Sequence, residues 1–222
     1  MEINNFTPPY DGIYLIDKEQ DWTSFDVVAK LRNAFHIKKV GHAGTLDPMA
    51  TGLLIVLAGH ATKQSDLLMH KDKEYYATMR LGIETDTQDI WGTVLSEKEV
   101  GVSEKEIIDA LNEFRGEISQ IPPMFSAIKI KGKKLYEIAR KGKEIEREPR
   151  IVNIYNLDYL GRQDNDIRLR VVCSSGTYIR TLCYDIGRFL GCGACMAQLR
   201  RTKIGDFSVE DAVTIDNAIK LI

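Results

Sequence analysis

Gly41 to Gly59 reads GHAGTLDPMATGLLIVLAG, and its two halves obey different rules. Gly41–Gly52 packs three glycines, a proline and two threonines into a short span, which predicts a shaped loop rather than a regular element. Leu53–Ala58 is continuously apolar and predicts a buried strand. Upstream, Gly12–Asp17 reads as a short apolar strand. Thr23 or Ser24 then caps a helix whose Val27, Val28, Leu31 and Phe35 recur at helical spacing. The first ten residues are polar, hold Pro8 and Pro9, and read as a loose arm.

Downstream, Tyr75–Leu81 reads as a strand and Gly82–Gly92 as an acidic loop. Ser103 and Glu106 form a capping box on a helix running to about Phe114. Ile121–Ser126 is a proline-set connection into an alternating strand, Ala127–Ile130, followed by a basic helix, Lys133–Lys141. Strands at Ile151–Leu160 and Ile167–Cys173 lead to a turn and an amphipathic helix within residues 174–191. A last helix is expected at Ser208–Ile222. Strands and helices follow one another without regular βαβ alternation. That order predicts an α+β fold with a mixed, largely antiparallel sheet flanked by helices.

The chain has 222 residues, 44% apolar and 28% charged, which is globular composition and excludes disordered or collagen-like chains. A chain of this size buries roughly 70% of its unfolded surface, enough for one substantial core. Residues 1–222 are therefore expected to form a single domain. The longest apolar run, Gly52–Gly59, falls far short of the ~20 residues that span a bilayer. The N-terminus has neither the basic region nor the apolar core of a secretory leader, so a cytoplasmic protein without a membrane partner is expected. Cys173, Cys183, Cys192 and Cys195 read as reduced thiols; Cys192-x-x-Cys195 lacks a second ligand pair and reads as small buried side chains.

A net charge of −2 supplies no global attraction to a polyanion. Local excesses do. Lys129–Arg150 carries nine Lys or Arg against four Glu, and Arg168–Lys203 carries seven against Asp185 alone. Either run could be a solvated face; two near a glycine-rich loop point towards RNA or phosphate.

Asp47, between Leu46 and Pro48, is the candidate for chemistry. Pro48 restricts Asp47 to extended geometry, and a carboxylate on a stiff loop can act as nucleophile or general base. The alternative is a turn aspartate bonded to nearby backbone. Other signatures fail. Gly132-Lys133-Lys134 lacks the hydroxyl of a Walker loop, Asp86, Asp89 and Gly92 lack calcium-loop spacing, and His36, His42, His60 and His70 form no ligand set. Neither H-E-x-x-H nor G-x-S-x-G occurs.

The loop GHAGTLDPMATG resembles the motif-II signature of the tRNA pseudouridine-55 synthases of the TruB type. KEYYA (Lys73–Ala77), IPPMFSAIKIKGKKLYEIARKG (Ile121–Gly142), CSSGTYIRTLCYDIG (Cys173–Gly187) and LRRTKIGDF (Leu199–Phe207) resemble that family's other motifs, in family order. The resemblance implies a pseudouridine-synthase fold with a central RNA-binding cleft. The reaction it implies is isomerisation of a T-loop uridine in tRNA to pseudouridine, with no metal or cofactor. It casts Asp47 as the catalytic carboxylate and Arg180 as its charge partner. Tyr75 would stack on the base and serve in proton transfer at C5. Tyr178 and Leu199 would line the pocket, and His42 would fill the space left by the extruded nucleotide. Lys18, Lys129, Lys131, Lys133 and Lys134 would hold phosphates of the T-arm.

Two departures from the family pattern stand out: the small C-terminal RNA-binding domain into which most members continue, often of PUA type, is expected to be lacking, as a natural short form or a missing extension, and Ala43 stands where threonine is frequent. A monomer acting without a protein partner is expected. The competing readings are a tRNA-binding or folding module with dispensable catalysis, a guide-RNA-dependent relative within a multiprotein particle, and a glycoside-cleaving enzyme. The last lacks a second carboxylate at suitable spacing.

Overall fold

A computed structural model describes residues 11–130 and 132–220, with Lys129 and Ile130 described by their backbone only. In chain order the elements are β1 (Gly12–Lys18), α1 (Ser24–Phe35), β2 (Val40–His42), β3 (Thr51–Ala58), α2 (Ser65–Met69), β4 (Lys73–Leu81), β5 (Ile83–Thr85), β6 (Val94–Glu97), α3 (Glu104–Glu113) and β7 (Gly116–Gln120). Then follow β8 (Lys129–Ile130), β9 (Lys133–Lys134), α4 (Leu135–Ala139), β10 (Arg150–Gln163), β11 (Asp166–Cys173), α5 (Ile179–Phe189), β12 (Ala194–Ile204), β13 (Phe207–Ser208) and α6 (Ile215–Lys220). Two compact units form, one from residues 1–76 and 198–222, the other from residues 77–197.

In the first unit β1 and β2 pair antiparallel with β3, while β12 runs parallel to it through Arg200↔Thr51 and Arg201↔Gly52. β3 is buried on both faces, which explains its unbroken apolar run. Leu54, Val56 and Ala58 pack with Tyr14 and Ile16 against Val27, Val28, Leu31 and Phe35 of α1 and Ile215 and Ala218 of α6. Leu53, Ile55 and Leu57 pack oppositely with Leu15, Ala43, Ala61, Leu68, Ile204 and Phe207. Each buried valine, leucine, isoleucine or phenylalanine among them contributes roughly 1.5–3 kcal/mol. Thr23 closes α1 with a capping box, its hydroxyl accepting from the Asp26 N–H while the Asp26 carboxylate accepts from the Thr23 N–H.

In the second unit the strand order β4-β11-β10-β7 is continued by antiparallel β10–β11 and β10–β7 ladders. Ile107, Ala110 and Leu111 of α3 and Ile179, Leu182, Cys183 and Ile186 of α5 are buried, and Phe114 meets Phe189 edge-on with centroids 5.9 Å apart. Ser103 caps α3 through the expected box with Glu106. The four cysteines are in the thiol form and buried. The fold is α+β with a mixed, mostly antiparallel sheet and flanking helices.

Several expectations need correction. The loop read as Gly41–Gly52 is strand at both ends, because Gly41↔Leu57 and His42↔Val56 pair in the β2–β3 ladder and Thr51 and Gly52 already belong to β3. Ile83–Thr85 of the supposed acidic loop pairs with β6. The basic helix shrinks to Leu135–Ala139, since Lys133 and Lys134 pair back onto β8. The last helix begins at Ile215, after β13 and a single 3-10 turn.

Candidate active site

Asp47 sits half-buried in the loop between β2 and β3. The loop is tied to the first unit at nearly every residue. Ala43 N–H donates to Ile55 O (2.9 Å), Ala50 N–H to Asp47 O (3.0 Å), and Asp21 N–H to Pro48 O (2.9 Å). The buried Ser24 hydroxyl accepts from Leu46 N–H (2.9 Å) and donates to Leu46 O (3.2 Å). Gly44 and Gly52 both take φ of +101°, a conformation that L side chains rarely adopt.

Two buried cations complete the clamp. Arg201, 1% exposed, donates from Nε to Leu53 O (2.8 Å), from Nη2 to Gly44 O (3.0 Å) and from Nη1 to Thr45 O (3.4 Å). Lys18, 0% exposed, donates to Glu19 O and Trp22 O (2.8 Å each) and to Pro48 O (3.4 Å). Burial pushes the Lys18 pKa down to about 8; the Asp47 charge opposes that shift, while Arg201 adds to it. Lys18 was expected to grip a phosphate. With no exposed surface and its ammonium turned to three carbonyls, it buttresses the loop from beneath.

His42 is the last residue of β2, immediately before the loop. Burial, and secondarily the Arg201 charge, lower the pKa of its imidazole from the ordinary histidine value. Its Nδ1 is buried with no hydrogen-bond partner among the described residues. Tyr75 on β4 and Leu199 on β12 are both buried.

Arg180 and Tyr178 belong to the second unit, at the start of α5. Arg180 is 4% exposed; Nη1 donates to Thr87 O and Nη2 to Phe125 O (2.9 Å each), and Asp89 Oδ2 lies 3.5 Å from Nη1. The turn carrying Thr87 and Asp89 is itself held. Met196 N–H donates to Gln88 O (3.0 Å), Ile90 N–H to Met196 O (2.9 Å), and Asp89 Oδ1 accepts from Trp91 N–H (3.1 Å) and the Thr87 hydroxyl (2.9 Å). Tyr178 exchanges backbone bonds with the side chain of Gln120, and Arg150 stands 6.0 Å from its ring centroid.

Lys133 is exposed on β9. Lys134 lies 5.3 Å from the Tyr136 ring centroid, with Arg140 at 5.4 Å. Lys129 lies in β8, and Lys131 lies outside the described residues. Arg201, Asp89 and Gln120 escaped the sequence reading. A buried arginine in a strand carries no periodicity signal, although Arg201 stands in the LRR segment already singled out. Among the described residues no group of three or more His, Cys, Asp or Glu could hold a metal ion.

Charged groups fixed by backbone carbonyls around a carboxylate-bearing loop describe a site for polar chemistry, and comparison with known proteins narrows the class. Residues 32–179 match the model for the TruB family pseudouridylate synthase N-terminal domain, and residues 180–220 that for the tRNA pseudouridylate synthase B C-terminal domain. A protein of Clostridium tetani named tRNA pseudouridine synthase B is 51% identical over 208 residues, covering 93% of this chain and 72% of that protein. The same name belongs to a protein of Aromatoleum aromaticum, also 51% identical, with 92% of this chain and 67% of that protein covered. Among solved structures, one of a Cbf5-Nop10-Gar1 complex matches with a TM-score of 0.74 at 31% identity over 99% of this chain and 60% of that one. One of an H/ACA RNP bound to a substrate RNA containing 2'-deoxyuridine matches with 0.71 at 30% over 94% and 52%. The chain thus spans between half and three fifths of those two solved chains. It belongs to the TruB family of pseudouridylate synthases.

Proposed function

We propose that this chain isomerises a uridine in the T-loop of tRNA to pseudouridine. The C1'–N1 bond breaks, the uracil turns, a C1'–C5 bond forms, and the proton leaving C5 is balanced by one gained at N1, so nothing is consumed. Asp47 supplies the carboxylate that faces the ribose. The observation that supports this best is the rigidity of its loop: two buried cations and a buried hydroxyl fix the backbone on either side of Asp47, as a preorganised nucleophile or base requires. Arg180 is the charged partner that keeps that carboxylate ionised, and its fork is held by carbonyls of two further loops. Tyr75 stacks on the target base and serves proton transfer at C5, while Tyr178 and Leu199 line the pocket. His42, whose imidazole burial disfavours protonating, fills the place of the extruded nucleotide. Lys129, Lys131, Lys133 and Lys134 contact T-arm phosphates.

The 51% identical relatives carry the tRNA name, whereas the matched complexes lie near 30% identity, which favours free tRNA over a guided substrate. The protein works as a monomer without a protein partner, in the cytoplasm, where its four cysteine thiols stay reduced. The test incubates the purified chain alone with an unmodified T-arm stem-loop and locates any converted uridine. Conversion of the T-loop uridine by wild type, its abolition in Asp47→Asn, and RNA affinity unchanged within a few-fold are expected. Wild-type-like conversion by Asp47→Asn removes the catalytic assignment. Arg180→Lys, which loses the planar fork, is expected to cost rate far more than RNA binding, and unchanged turnover would show that Asp47 and Arg180 are not the working unit.

A further inference from the structure

Gln120 ends β7 and is 0% exposed, and its amide is paired with backbone. Oε1 accepts from Tyr178 N–H (3.1 Å) and Nε2 donates to Tyr178 O (3.3 Å), so the side chain pairs with the Tyr178 backbone as a neighbouring strand would. Tyr178 is the N-cap of α5, in extended conformation, and its own side chain makes no cap hydrogen bond. Its carbonyl also accepts the first helical bond, from Leu182 N–H (3.0 Å), and Gln120 ties the same peptide sideways to the end of β7.

The position of Gln120 in the chain gives the grip its consequence. Five residues on, Phe125 O accepts from Arg180 Nη2, two residues beyond Tyr178. Residues 120–125 and 178–180 are therefore closed into a ring at both ends, by an amide pair at one and a guanidinium at the other. Pro122 and Pro123, both buried, stiffen the span between. Any slip at Gln120 is passed to both the Tyr178 ring and the Arg180 fork.

We propose that Gln120 is the positioning residue that sets Tyr178 and Arg180 for the reaction. This rests on the function proposed above and adds a residue to it. Gln120→Met keeps the length of the side chain and removes both bonds. Its single-turnover conversion of the stem-loop at saturating enzyme is expected to fall ~10–100-fold, the scale of an ångström-size misplacement. RNA affinity stays within about threefold, because the phosphate-contacting lysines lie elsewhere. Gln120→Glu adds a readout that a purely structural role would not move. As the carboxylate it loses the donor to Tyr178 O, and as the neutral acid it regains it. Its rate divided by that of wild type at each pH is therefore expected to climb as pH falls from 8 to 6.

Wild-type turnover by Gln120→Met overturns the proposal. So does a loss no larger than its unfolded fraction at the assay temperature, or a flat Gln120→Glu ratio. If Gln120→Met does not fold, the Gln120→Glu ratio alone decides. A wild-type chain inert on the stem-loop removes the function reading and this one together, whereas active wild type with indifferent Gln120 variants removes this one alone.

Discussion

Replacing Gly52 by alanine tests whether the Asp47 loop is held by backbone contact between β3 and β12. The added Cβ would stand 2.2 Å from Arg201 O and 2.9 Å from Arg201 N. Those are backbone atoms of the residue paired with Gly52 in the parallel ladder, so no side chain can swing away. An ordinary carbon–oxygen contact lies near ~3.5 Å, so the strands must part locally by about 1 Å. The left-handed backbone at φ +101° adds about 1–2 kcal/mol for a residue with a Cβ. Loosening one or two ladder or Arg201 hydrogen bonds adds about 1 kcal/mol each. The sum, about 3 kcal/mol, should appear as a lower urea midpoint with unchanged slope. Arg201 moves with its backbone, and its fork holds Gly44, Thr45 and Leu53, so pseudouridine formation should fall further than the unfolded fraction explains. A Gly52→Ala protein with wild-type midpoint and rate would refute the clamp.

Three other perturbations follow from the same contacts. Lys18 has a folded pKa of about 8 against an ordinary 10.5, so the folded state resists its protonation. Its cost, on the order of 3 kcal/mol, is fully present below pH 8 and fades as pH rises through 8 to 10.5. Wild type should therefore gain stability relative to Lys18→Met between pH 7.5 and pH 10 in urea melts, and a constant difference would count against a buried charged lysine. Asp89→Asn keeps acceptors for Trp91 N–H and the Thr87 hydroxyl but removes the charge facing Arg180; about 2 kcal/mol of stability and most of the conversion rate should be lost, read by thermal melts and single-turnover assays. His36 ends α1 in the left-handed region at φ 54° and is exposed, so His36→Gly should stabilise by roughly 0.5–1 kcal/mol with unchanged conversion; a lower melting temperature would contradict that assignment.

Where structure follows from local pattern, the sequence was readable. The capping boxes at Thr23 and Ser103, the apolar face of α1 and the buried Leu53–Ala58 strand all rest on contacts a few residues apart. Long-range pairing was not. Gly41 and His42 read as loop because their strand character comes from Leu57 and Val56, and Lys133 and Lys134 read as helix because nothing local announces that they fold back onto β8. β7 and β12 were missed for the same reason. β7 is short and half polar, and β12 begins among cysteine and glycine and places two arginines side by side. Within the candidate site, Asp47 was legible because Pro48 and the flanking glycines mark it. Lys18 was misjudged because a lysine near a loop looks like a phosphate ligand until its burial is known. Arg201, Asp89 and Gln120 matter through carbonyls and amides far away in sequence, which no single stretch of residues can display.

The clamp on the Asp47 loop has an evolutionary consequence. Lys18 and Arg201 both grip carbonyl oxygens, at Glu19, Trp22, Pro48, Gly44, Thr45 and Leu53, and an oxygen of that kind is supplied by every amino acid alike. Exposed loop positions such as Glu19 and Thr45 are thus free to drift in identity while the geometry at the carboxylate stays put. A change of side chain at such a position leaves untouched the hydrogen bonds that hold the carboxylate-bearing loop.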